Sequence, residues 1–135
     1  MPEQKTLERA RKAKREGKSP STQAGEFVRE EIEHVREGKH GARSAKQIIA
    51  IGLSKARRAG VRLPPPPKGQ TSERTRKSAA QANRVGQSGT HKAPSARRSR
   101  AATRKLKREP KRAASRAALS KQARSAARRR RQADE

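Results

Sequence analysis

The chain has no cysteine, no tryptophan and no tyrosine, and its single aromatic residue is Phe27. Without thiols there is no disulfide framework and no thiolate zinc site, which fits a reducing compartment. With one aromatic ring, placed below in a core, there are no stacking platforms of the kind single-strand and sequence-specific RNA binders use. No apolar run approaches the ~20 residues of a membrane span. The N-terminal stretch MPEQKTLERARKAKREGK is charged and lacks the apolar segment of a secretory signal. The expected address is the cytoplasm, in association with the nucleoid.

Large apolar side chains are scarce as well. Val, Ile, Leu, Met and Phe together number 15, and ten of them lie between Phe27 and Leu63. Any core is expected inside that stretch, and a core so small is marginal because small domains bury too little of their surface.

The stretch Arg43–Pro67 supplies the clearest local signals. Ser44 can cap a helix and Gln47 completes a capping-box pattern. Ile48, Ile49, Ile51, Leu53, Ala56 and Ala59 recur at helical spacing, Gly60 suits a C-cap, and Pro64 to Pro67 forbid continuation. Before it, Ala24–Glu37 reads as a second helix, capped by Ser21 or Thr22, with Phe27, Val28, Ile32 and Val35 on one face. Its other face carries Glu26, Glu30, Glu31, Glu33 and Glu37 and reads as solvated. The short connection 39–43 returns the chain antiparallel. Gly52 lies on a small-residue stripe with Ile48 and Ala56 that would admit another helix closely, so the hairpin is open to a protein partner or a second copy.

The flanks read differently. Residues 1–21 form a polar basic segment in which the helix-forming stretch Pro2–Glu16 has only Leu7 as a large apolar anchor, a transient helix at most. Residues 64–70 are a proline-rich spacer. Residues 71–135 carry 21 basic and 4 acidic residues with few large apolar side chains, the composition of an intrinsically disordered tail. A short helix from Thr71 or Ser72 to Val85, stopped by Gly86, is expected there, and the Ala- and Arg-rich segment Lys111–Arg131 is expected to turn helical only once its charges are neutralised. The organisation expected is therefore 1–21, a hairpin domain at 22–63, a spacer at 64–70 and a disordered tail at 71–135. The fold class is all-α: a short antiparallel helical hairpin with largely disordered basic N- and C-terminal flanks.

No nucleophile elbow, P-loop or dinucleotide glycine pattern is present. His34 and His40 are six apart, which is no metal pair on one helical turn, and with His91 they read as solvated surface residues. Neither an enzyme nor a cofactor is expected. The basic residues carry the functional signal, with a net charge of +26 from 38 Lys and Arg against 12 Asp and Glu. Lys46, Lys55, Arg57, Arg58 and Arg62 cluster on and after the central helix. Lys105, Lys107, Arg108, Lys111 and Arg112 form a second cluster, and Arg128, Arg129, Arg130 and Arg131 a third. Phosphate neutralisation with counterion release needs positive charge, not a fixed base-reading geometry. The expected function is non-enzymatic, largely sequence-independent binding of nucleic acid, with duplex DNA preferred. The alternatives are an RNA- or ribosome-associated basic protein and an adaptor whose hairpin binds a protein. A helix-turn-helix reading is weaker, because the turn opening the central helix offers mainly Lys46 and Gln47.

The stretch Glu26–Pro66 resembles a bacterial family of small basic proteins whose core reads K-Q-x-I-A-I-G-L-S-x-A-R-R-A-G. Lys46-Gln47, Ile49 to Ser54 and Ala56 to Gly60 match that signature, with Ile48 at its variable position. The family has no established mechanism, although some members carry a DNA-binding or plasmid-stabilisation label. The resemblance therefore implies a DNA-related role at most.

Overall fold

A computed structural model describes residues 2–89 and 95–133. Among the described residues six α-helices follow one another: α1 Gln4–Arg15, α2 Pro20–Arg36, α3 Ala45–Arg58, α4 Glu73–Ser88, α5 Ala96–Arg108 and α6 Arg116–Ala133, with a 3₁₀ turn at Arg112–Ala114 ahead of α6. The chain is all-α, but it is not a short hairpin with largely disordered basic flanks. The segments before and after α2 and α3 are themselves helical, and neither the transient N-terminal helix nor the intrinsically disordered tail survives for the described residues. Residues 90–94, with His91, and residues 134–135 lie outside them.

Large side chains are not what mainly packs these segments. Alanine buries well where backbones come close, and Ala10, Ala13, Ala79, Ala82, Ala113 and Ala114 are all buried. Every one of them lies outside the stretch that holds the large apolar residues. Local caps add to this. Ser72 accepts from Thr75 N at 3.2 Å and Ser95 from Arg98 N at 3.1 Å, so α4 and α5 begin on satisfied N-terminal amides. Gly86 does not stop α4, which runs to Ser88 before Gly89.

Contacts group the chain into two units, Met1–Glu31 with Ala50–Ala93, and Ile32–Ile49 with Pro94–Glu135. Helices α2 and α3 contribute one end to each.

In the first unit Ala10, Ala24, Phe27, Ala56 and Val61 form the core, with Leu7, Leu53 and Leu63 packed on it. Helix α3 meets α2 at Gly52, where a Cβ would stand 2.6 Å from Val28 Cα. The small-residue stripe is thus filled by α2 itself. The expected solvated acidic face of α2 is partly internal. Glu30 is 3% exposed, and its Oε1 accepts from Glu3 N at 2.6 Å and Thr6 Oγ1 at 3.2 Å. That carboxylate receives the N-terminus of α1, where partial positive charge favours an acid, and it turns α1 into a packed helix. Glu31, 1% exposed, pairs with Lys55 of α3.

In the second unit Val35, Ala42, Ile48, Ala113 and Ala114 form the core, with Ile32 against it. The α2–α3 connection is laced through backbone groups to the last turn of α5 and to the connection that follows it. Gly41 N donates to Leu106 O at 2.8 Å and Ala42 N to Pro110 O at 3.0 Å. Arg36 Nε donates to Ala114 O at 2.9 Å. A Cβ on Gly41 would overlap the Glu109 carbonyl.

Opposite signs are expected for alanine at different helix and loop glycines. Gly25, in α2, has open space where a Cβ would go, so Gly25→Ala should raise the urea unfolding free energy by about 0.5–1 kcal/mol. Gly52→Ala and Gly41→Ala should each lower it by about 1–3 kcal/mol, because backbone must move. A neutral Gly52→Ala would mean the α2–α3 approach is misplaced. Lys55→Met should cost about 1–3 kcal/mol by removing a partner of a buried carboxylate. Lys46→Met, at an exposed site, should stay within about 0.5 kcal/mol in the same denaturation experiment. Equal effects from the two lysines would remove the structural role assigned to Lys55.

Candidate nucleic-acid interface

The basic residues singled out from the sequence divide by environment. Lys55 is half-buried and held by Glu31. Arg57 is 7% exposed, and its guanidinium turns inward: Nε donates to Leu63 O at 3.2 Å and Nη2 to Pro64 O at 2.9 Å. Burial pushes its pKa below the ordinary arginine value through desolvation. Arg57 thereby fastens the start of the proline run to the end of α3. Lys46, Arg58 and Arg62 are exposed.

The remaining candidates lie in the second unit. Lys105, Lys107 and Arg108 occupy the last turn of α5, and Lys111 and Arg112 the bend that follows. Arg128, Arg129, Arg130 and Arg131 lie near the C-terminal end of α6. Cations there complement the partial negative charge of the final carbonyls, which offsets part of their mutual repulsion. The Lys111 side chain also runs against Gly38, just past the end of α2. Between Ser95 and Ala133 the chain carries 16 basic residues and one acid, Glu109. All sixteen are exposed, and none forms an ion pair among the described residues.

One groove in this unit gathers residues far apart in sequence. It has a volume of about 490 Å³, and Arg43, Lys46, Arg112 and Lys121 line it. Sequence reading picked out Lys46 and Arg112 but not Arg43 or Lys121. No local signal marks those two, since only the packing of Ala113 and Ala114 against Val35 and Ile48 brings the start of α3 to the start of α6. His34 and His40, half-buried, meet edge to face with ring centroids 6.2 Å apart. They are less open to solvent than their sequence context suggested. Among the described residues no helix is long and apolar enough to cross a membrane.

Residues 11–68 match a family described as a family of unknown function (DUF6496). That span runs from within α1 through α3 to the end of the proline run and contains Glu26–Pro66. It assigns no activity, and α4, α5 and α6 lie beyond it. No curated protein and no solved structure matches the chain.

Proposed function

We propose that this protein binds nucleic acid without catalysis and with little regard to sequence, duplex DNA being the preferred partner, in a nucleoid-associated role. One observation carries the reading: sixteen exposed basic residues stand against one acid between Ser95 and Ala133. Charge at that density exceeds what solubility calls for, and a polyanion is its natural counterpart. Exposed arginines and lysines on helix surfaces reach phosphate oxygens readily, and Phe27, the one residue of the Phe, Tyr and Trp kind, is buried away from any base. Contacts of that kind position a protein on a duplex but do not read it. Lys55 and Arg57 stand apart from this interface, since both are engaged within the fold.

The test needs the full chain, because a cut after Leu63 would remove segments from both units. Affinity for mixed-sequence duplex DNA should fall with salt at a log–log slope near −7 if about eight phosphates are engaged. Changing Arg128, Arg129, Arg130 and Arg131 together to Gln should make the slope shallower by roughly 3. Unrelated duplex sequences should differ by less than about threefold, well under the cost of losing one base-pair contact. Tighter binding of structured RNA than of duplex at equal salt would favour the RNA- or ribosome-associated reading. A protein partner that stays bound after nuclease treatment, with duplex binding absent, would favour an adaptor.

A further inference from the structure

We infer that the groove between the start of α3 and the start of α6 is a binding site for a chain of condensed phosphates, such as inorganic oligophosphate or the phosphate chain of a nucleotide. This inference does not depend on duplex binding. Four cations converge on the groove, Arg43 and Lys46 from one side and Arg112 and Lys121 from the other, and no acid lines it. None of the four makes an ion pair among the described residues. Four like charges around one concavity repel one another, and a ligand carrying several negative charges relieves that repulsion.

The rim agrees with the charge. Ser44 and Ser115 both line the groove. Ser44 Oγ accepts from Gln47 N at 3.2 Å, and Ser115 Oγ accepts from Ala118 N at 3.1 Å. Each serine therefore caps a helix that starts at the groove, so two partially positive helix ends open on the same space. The capping arrangement at α3 is tight, with Arg43 N donating to Gln47 Oε1 at 2.6 Å. This fixes the backbone of Arg43 beside the groove.

Size and lining narrow the ligand. About 490 Å³ is far more than one phosphate group fills and falls within the range of small-molecule sites. The apolar part of the lining is Ala45, Ala113 and Ala118, which offers no ring against which a base could stack. Recognition is therefore of the phosphate chain, and the attached group, if any, is left unread.

Isothermal titration of the full chain with inorganic tripolyphosphate, ATP, AMP and orthophosphate at roughly physiological ionic strength tests this. One tripolyphosphate per chain is expected. ATP should bind within about threefold of it, with AMP and orthophosphate at least tenfold weaker. Lys46→Gln with Arg112→Gln should weaken tripolyphosphate binding at least tenfold. Arg9→Gln with Arg11→Gln removes the same charge from exposed positions on α1 and should change it less than about twofold. Thermal unfolding of both variants checks that the exposed substitutions leave the fold intact. Equal weakening by the two pairs, or several weak sites per chain, would overturn the site in favour of diffuse attraction. Orthophosphate binding as tightly as tripolyphosphate would overturn the assignment to a phosphate chain. Loss of duplex binding with tripolyphosphate binding retained would sink only the nucleic-acid reading.

Discussion

The whole arrangement depends on how closely backbones approach one another. A chain with only 15 large apolar side chains cannot fill wide spaces between helices. It narrows the spaces instead. At Gly52 helix α3 rides on the Val28 backbone, and at Gly41 the α2–α3 connection lies directly on the Glu109 carbonyl. At such distances alanine is large enough to complete a layer, as Ala113 and Ala114 do against Val35 and Ile48. Dispersion contacts depend steeply on separation, so small residues at short range substitute for large ones at ordinary range.

The same economy governs charge. Nine of the twelve acids lie at or before Glu73, and several are taken up by the fold itself. Glu30 receives α1, Glu31 holds Lys55, and Glu73 pairs with Arg76. Little counter-charge is left for the residues after Ser95. Their positive field is therefore turned toward solvent, and its neutralisation falls to whatever anion the protein meets.

Much of α2 and α3 was legible because both combine periodic large apolar residues with recognisable ends. Ser44 caps α3 as its pattern suggests. At α2 the start was misread by a turn: Ser19 accepts from Thr22 N, and Pro20 occupies the first helical position, where its missing amide hydrogen is no loss. Helix α1 was visible as a helix-forming segment, but its anchoring was not, because Thr6 and Glu3 reach a carboxylate 24 and 27 residues away. Helix α5 was hidden by composition, and α6 showed only as a segment that turns helical once its charges are neutralised. An alanine- and arginine-rich segment looks identical whether its alanines meet solvent or another backbone, and only the partner decides. The groove was illegible for the same reason, since Arg43 and Lys121 have no meaning until α3 and α6 are brought together.

The second unit is built from residues 32–49 and residues 94–135, with a long insertion between them. Its central contacts close loops of more than sixty residues, and such non-local pairings are slow to form. During synthesis Val35 and Ile48 emerge well before Ala113 and Ala114 exist. At about 5–20 residues per second that interval lasts several seconds. Over that interval a small apolar face stands open on α2 and α3, at the stage when the nascent chain is most exposed to chaperones and to its own kind. Completion of the fold thus waits on the most basic segment of the chain, so that charge and burial arrive together.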